Sequence, residues 1–178
     1  LHPPARTRQS LTPCRRNPHS QETPRATYSP MFASWFLRRV KASPAPAFNI
    51  DEEYDLQVAV NQLIEKQLVQ SVHDVSDGGL FITLAESALP SGLGFEVATM
   101  DDYRTDAFLF GESQSRVVVS VSPENQAEFQ KILGGELKTT HALLGKVTLG
   151  GFVVDGQEVI STAEAKDLYD NSLGRLMS

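Results

Sequence analysis

Hydrophobic positions recur at helical spacing shortly after residue 49. Five apolar residues fall at i, i+4, i+7, i+8 and i+12, on one face of a predicted helix: Leu56, Val60, Leu63, Ile64 and Leu68. Asn49 precedes this run at an N-cap position. Glu52 lies three residues after Asn49, a spacing that is typical of a capped helix start. The pattern therefore predicts an amphipathic helix that begins near residue 50.

Short β-branched runs then alternate with helical segments. Strands are predicted at 69–75, 94–98 and 116–121, followed by a hairpin or meander over 143–147, 152–154 and 158–160. Further helices are predicted after residue 79, over 122–133 and over 161–177, the last with a capping box of Ser161 and Glu164. Because helices and short strands interleave, we expect an α+β fold, a layered α/β/α domain with a mixed sheet, and neither a bundle nor a β-sandwich.

The first 42 residues differ in composition from the rest of the chain. They hold eight Lys and Arg residues against one acidic residue, Glu22, whereas the whole chain has a formal charge of -6. Most of the prolines also lie in or just after this segment, and proline removes a backbone donor and pushes its neighbour to extended conformations. We therefore expect an irregular basic tail at 1–42 and one domain at 43–178.

Three interpretations of this tail compete. A basic arm neutralises phosphates of nucleic acid, but no aromatic residue lies among the four arginines of residues 6–16 to stack a base. An Arg- and Ser-rich segment that is poor in acids is also typical of an organelle transit peptide, with residues 31–39 as its most amphipathic part. We favour the third interpretation, in which the tail is foreign to the domain.

Length and composition exclude several classes of protein. A chain of 178 residues with 40% hydrophobic content has enough apolar residues for one core, so it is not disordered throughout. It contains no run of about 18 apolar residues that would cross a bilayer. Its one cysteine, Cys14, cannot form an internal disulfide, which is compatible with a reducing cytoplasmic location.

The first segment with chemical potential is residues 73–80, between a predicted strand and a predicted helix. Gly78 and Gly79 allow a sharp turn, and their amides would lie at a helix N-terminus, where unpaired donors favour a phosphate. Ser76 would add a hydroxyl. The alternative is that Asp and Gly serve only capping and left-handed geometry, and spacing alone does not decide between the two.

The other polar residues of this segment favour structural roles. His73 ends a strand, where a histidine is more often a hydrogen-bonded structural residue than a lone catalytic base. Asp74 and Asp77 are two carboxylates, fewer ligands than Mg²⁺ needs, so capping is the favoured interpretation and no metal site is predicted.

A second polar cluster leads directly into the strand predicted at 116–121. It places a glycine and five polar residues in a row, Gly111, Glu112, Ser113, Gln114, Ser115 and Arg116. A rigid strand would hold such groups in place, and Arg116 would suit a bidentate phosphate contact. An internal salt bridge of Arg116 with Glu112 or a carboxylate near residue 77 is the competing interpretation, and it is slightly favoured.

These motifs resemble a known family, phosphoribosylformylglycinamidine synthase, also called formylglycinamide ribonucleotide amidotransferase. The likeness rests on residues 73–80 and 111–119, the linker at 43–46 and the closing segment at 168–171, and it covers about residues 43–178. The linker and residues 106–112 look more like the small multi-subunit bacterial type than the long fused type. Other enzymes of the same superfamily, aminoimidazole ribonucleotide synthetase and selenophosphate synthetase, stay open as alternatives, as does a non-enzymatic ligand-binding module.

The resemblance implies an ATP- and Mg²⁺-dependent ligase of purine biosynthesis that converts formylglycinamide ribonucleotide to its amidine. This chain is similar only to the last C-terminal half of the family's synthetase-like units, which have a layered α/β/α fold with partial likeness to a ferredoxin-like fold. The N-terminal halves and a glutaminase subunit or domain would be its partners. We therefore expect the chain alone to lack activity and to hold neither ATP nor Mg²⁺.

The resemblance also assigns site residues to the substrate-side cleft. Ser76, Gly78 and Gly79 are expected at the phosphate of the ribonucleotide, and no residue is expected to be catalytic. The other candidate cleft residues come from the same two segments: His73, Asp74, Asp77, Glu112, Ser113, Ser115 and Arg116.

Overall fold

The computed structural model describes residues 10–13, 48–100, 104–135 and 139–177. Its helices are α1 (Ile50–Glu65), α2 (Gly79–Ala88), α3 (Thr105–Phe110), α4 (Gln126–Gly135) and α5 (Thr162–Met177). Its strands are β1 (Ser10–Pro13), β2 (Ser71–Asp74), β3 (Gly94–Val97), β4 (Val117–Val121), β5 (Gly145–Thr148), β6 (Phe152–Val154) and β7 (Gln157–Ile160). A short 3₁₀ turn, Leu89–Ser91, extends α2. No helix in these ranges is both long enough and apolar enough to span a membrane.

Two helix starts follow from the capping signals in the sequence. The Asn49 side chain accepts hydrogen bonds from the amides of Asp51 at 3.0 Å and Glu52 at 3.4 Å. At the start of α5, the Ser161 amide donates to Glu164 at 3.3 Å and the Glu164 amide donates to the Ser161 hydroxyl at 3.2 Å. This second arrangement is a reciprocal capping box, and both predicted helix starts are confirmed.

The strands form one mixed sheet in the order β2-β4-β1-β5-β3-β6-β7. The β3–β6 pair is parallel, and the other pairs are antiparallel. Strand β4 alternates between two cores, because Val118 packs with residues of α2 and α3 whereas Val119 and Val121 pack with residues of α1 and α4. Helices thus cover both faces of the sheet, which confirms the predicted layered α/β/α fold with a mixed sheet.

Aromatic packing fills the core between β3, β6 and α2. The rings of Phe95 and Phe152 stack with their centroids 4.4 Å apart, and each side chain is 1% exposed. Phe81 on α2 meets Phe95 edge-on at 5.7 Å and Phe152 edge-on at 6.1 Å. This cluster fixes α2, and hence the loop that precedes it, against the sheet.

Three local predictions differ from the structure. Helix α4 begins at Gln126 and not at the predicted residue 122, because the amide of Asn125 first forms a turn with the carbonyl of Ser122 at 3.0 Å. The helix also continues past the predicted end at residue 133 and includes residues 134–135. The predicted meander holds only for β6 and β7, since β3 lies between β5 and β6 in the sheet. Helix α3 was not predicted.

The predicted irregular tail is only partly within the described residues. Ser10–Pro13 form β1, a strand between β4 and β5, so the expectation of an irregular segment does not hold at these four residues. Backbone pairing with two neighbours explains the difference, because proline-rich flanks do not prevent a short extended stretch from joining a sheet. The rest of 1–42 lies outside the described residues.

Candidate functional site

Antiparallel pairing of β2 with β4 brings the two polar segments of the sequence together. Asp74, at the end of β2, lies opposite Val117, at the start of β4. The amide of Val75 extends this pairing by donating to the carbonyl of Arg116 at 2.9 Å. Residues 73–80 and residues 111–116 therefore meet at one end of the sheet, and we call these two segments together the loop junction.

The amides of Gly78 and Gly79 are occupied within the protein. The Gly78 amide donates to Oε1 of Glu112 at 2.8 Å, and the Gly79 amide donates to the carbonyl of Ser76 at 3.0 Å. This corrects the expectation that both amides are bare donors for an anionic ligand. The physical reason is that the Glu112 carboxylate is itself an anion, and the positive end of α2 attracts it as it would attract a phosphate.

Both glycines are required by backbone geometry. Gly78 has φ +83° and Gly79 has φ +72°, in the left-handed region that side chains disfavour. A Cβ at Gly79 would lie 2.7 Å from the carbonyl carbon of Phe110 and 2.9 Å from the carbonyl oxygen of Leu109. The absence of a side chain thus allows α2 to start directly against the backbone of α3.

Arg116 contacts main-chain carbonyls of the same junction. Its Nη1 donates to the carbonyl of Gly111 at 3.1 Å, and Gly111 is buried. Together with the Gly78–Glu112 bond, this contact fixes the turn between α3 and β4.

Two residues that were not predicted support the junction. Glu53 on α1 accepts a hydrogen bond from the Ser115 hydroxyl at 2.7 Å, and this bond and a second from Gln57 lower the pKa of Glu53, which favours its ionised form. Thr83 donates from its hydroxyl to the Gly79 carbonyl at 3.1 Å. The Thr83 contact follows the i−4 pattern of helical threonines, so it could be predicted from the sequence. The contact of Glu53 with Ser115 joins residues 62 positions apart, and no local sequence pattern predicts it.

His73 is held by its neighbours, as its structural interpretation predicts. Its Nδ1 lies 2.8 Å from the Asp74 carbonyl oxygen, and its Nε2 lies 3.6 Å from Oε2 of Glu86 on α2. The side chain of Asp74 is 75% exposed. His73 therefore orients the strand end, and Asp74 is left facing solvent.

The exposed part of the junction is small and polar. Ser76 and Asp77 are exposed, and Ser113 is partly buried. Within the described residues, no three His, Cys, Asp or Glu side chains are grouped to hold a metal ion. The junction presents to its surroundings the Ser76 hydroxyl, the carboxylates of Asp74 and Asp77 and the amide of Gln114, beside a helix end that the Glu112 carboxylate already neutralises.

Two pockets lie elsewhere on the described surface. The larger, of about 590 Å³, opens over β3 and β5 and includes Glu96, Lys146 and Asp155. The smaller, of about 200 Å³, lies along α1 beside Val117. Neither of these two pockets is lined by residues 73–80 or 111–116.

The fold and the junction define a layered α/β domain whose two polar segments meet at one sheet end. The chain belongs to the family described as AIR synthase related protein, C-terminal domain, whose sequence pattern matches residues 29–156. That match begins inside the segment expected to be a tail, upstream of the predicted boundary at residue 43.

Two curated relatives carry the same name. The chain is 47% identical over 110 residues to phosphoribosylformylglycinamidine synthase subunit PurL of Salinibacter ruber, covering 61% of this chain and 15% of that one. It is 36% identical over 137 residues to the same subunit of Alkaliphilus metalliredigens, covering 74% of this chain and 18% of that one. The chain therefore spans less than a fifth of the length of these relatives.

Solved structures show the same fold. Thermotoga maritima PurL complexed with FGAR has a TM-score of 0.64 at 17% identity, over 89% of this chain and 28% of that one. The same protein complexed with ATP gives 0.63 at 16% identity, over 89% of this chain and 25% of that one. The PurLQS assembly from T. maritima gives 0.61 at 17% identity, over 86% of this chain and 24% of that one. At such identities the likeness concerns the fold.

Proposed function

We propose that this chain is the C-terminal, substrate-side domain of an ATP-dependent amidotransferase that converts formylglycinamide ribonucleotide to its amidine in purine biosynthesis. The observation that carries the proposal is the convergence of residues 73–80 and 111–116 at one sheet end, joined by the Gly78–Glu112 hydrogen bond. Both segments are motifs of the resemblance, and the two curated relatives described above are both PurL subunits.

The junction contributes binding rather than chemistry. Its exposed hydroxyl, on Ser76, is a donor that needs no rearrangement to reach a phosphate. The Gly78 amide is a second donor only if Glu112 releases it, because a phosphate beside that carboxylate would meet a like charge. Ser76 is therefore the first contact, and Gly78 is available to the ligand only after Glu112 has moved away.

The rest of the enzyme supplies what this domain lacks. We assign ATP and Mg²⁺ to the N-terminal halves, as the family resemblance implies. A glutaminase supplies ammonia, in keeping with the PurLQS assembly of T. maritima. On this proposal the isolated chain does not turn over.

A chimera tests the proposal. The matched region of S. ruber PurL is replaced by the corresponding residues of this chain, and amidine formation is measured with ATP, formylglycinamide ribonucleotide and ammonium. We expect turnover by the chimera and none by the chain alone. In the chimera, Ser76→Ala should raise KM for the ribonucleotide about tenfold and leave KM for ATP unchanged, because a hydrogen bond to a charged group contributes about 1.5–3 kcal/mol.

The control is Ser91→Ala, at an exposed serine of the 3₁₀ turn outside the junction, which should leave both KM values unchanged. A chimera that folds with the parent's melting temperature and yet forms no amidine would contradict the domain assignment. An active chimera in which Ser76→Ala has no effect would contradict only the phosphate contact.

A further inference from the structure

Strand β1 joins two parts of the sheet that are otherwise separate. β4 and β5 both pair with β1, and in the sheet order they are not neighbours of each other. Without β1, the described sheet would separate into β2-β4 and β5-β3-β6-β7. We call the gap between β4 and β5 the central slot.

The strand in the central slot comes from outside the region that the family pattern matches. That match begins at residue 29, whereas β1 is Ser10–Pro13. Both strands that line the slot, β4 and β5, lie inside the matched region. The chain thus completes its sheet with a segment that the family pattern does not include.

An empty slot would be costly. Val119 and Val121 of β4 are each 1% exposed with β1 in place. Their main-chain groups face the slot, because the carbonyls of Arg116 and Ser120 bond on the β2 side and successive residues of a strand alternate. They lie opposite Thr12 and Ser10 of β1, respectively. A main-chain group without a hydrogen-bond partner is unfavourable inside a sheet, so a row of them would favour an extended segment that enters the slot.

The register suits the sequence of β1. Leu11 lies opposite Ser120 on β4 and Gly145 on β5, so it is paired on both sides. Pro13, which has no amide hydrogen, lies opposite Val118 on β4, past the end of the pairing with β5. Proline is tolerated at such a position because one side of the strand carries no ladder there.

We propose that the central slot is a strand-accepting site, and that residues 10–13 occupy it as an intramolecular donor strand. Recognition is through main-chain hydrogen bonds, the mode by which extended peptides add to sheet edges. This assigns a structural role to part of the basic tail, and it does not depend on the proposed enzymatic function.

Hydrogen exchange of the full chain tests the occupancy of the slot. Leu11→Pro removes an amide from the doubly paired position, whereas Leu11→Ala keeps it. We expect the amides of Val119, Val121 and Gly145, which face the slot, to lose protection about tenfold or more in Leu11→Pro. Leu11→Ala should stay close to the wild type at both strands. Equal protection in all three proteins would overturn the proposal.

A cross-link covers the case in which Leu11→Pro does not fold. In a Cys14→Ser background, Leu11→Cys is combined with Ser120→Cys, its cross-strand partner, or with Val159→Cys on β7, four strands away in the sheet order. Directly opposed residues lie within reach of a disulfide. Mild oxidation should cross-link the 11–120 pair within one chain and leave the 11–159 pair reduced. No cross-link, or a cross-link only between two chains, would overturn the intramolecular assignment.

Discussion

Replacing Phe95 with alanine is expected to lower the free energy of unfolding by about 3–5 kcal/mol, the usual cost of deleting a buried phenylalanine. The ring is 1% exposed and contacts Phe152 face to face and Phe81 edge to face, so the cavity would have aromatic walls that cannot collapse without moving α2. Such a loss is a large share of the 5–15 kcal/mol that stabilises a typical domain.

Urea denaturation of the full chain measures this effect. Phe48→Ala is the matched control, because the same side chain is deleted where it is 56% exposed, and its effect should stay within about 0.5 kcal/mol. Equal losses for the two variants would mean that the aromatic cluster does not anchor α2 as described.

The second large effect is expected at the loop junction. Gly79→Ala should destabilise the chain by about 3 kcal/mol or more, since the new Cβ adds left-handed strain and a collision with the backbone of α3. Backbone atoms cannot rotate away as a flexible side chain would, so α2 and α3 must separate. In the chimera, the same change should also abolish amidine formation if the junction positions the substrate.

Gly92→Ala is the control that isolates the collision. Gly92 has φ +63°, close to that of Gly79, and a Cβ built there meets nothing within 4 Å. Gly92→Ala should lower the free energy of unfolding by about 1–2 kcal/mol, from backbone strain alone. If the two glycine variants unfold at the same urea concentration, the close approach of α2 to α3 is not a source of stability.

Much of the secondary structure could be predicted because its signals are local. Asn49 and the Ser161–Glu164 pair fix helix starts through bonds that span two or three residues. The six-residue helix α3 has no comparable signal, because it is too short for an apolar period and has no side-chain cap. The position of β5 next to β3 depends on pairing across the sheet, which local patterns do not contain.

The candidate site shows the same division. Each polar segment was recognised from its own residues, but their meeting depends on the β2–β4 register, in which Asp74 lies opposite Val117. That register places Glu112 next to Gly78, 34 positions earlier in the chain. The sequence indicates an anion at the start of α2, and only the structure shows that the protein itself supplies one.

The most direct test of this account measures exchange at a single amide. The central claim is that the Glu112 carboxylate accepts the hydrogen bond of the Gly78 amide, so that the protein's own anion occupies the positive end of α2. Nuclear magnetic resonance of the labelled chain should show a slowly exchanging Gly78 amide that exchanges about 10- to 100-fold faster in Glu112→Ala, while Glu112→Gln, which keeps an acceptor oxygen, retains most of the protection. A Gly78 amide that exchanges at the same rate in all three proteins would contradict the account.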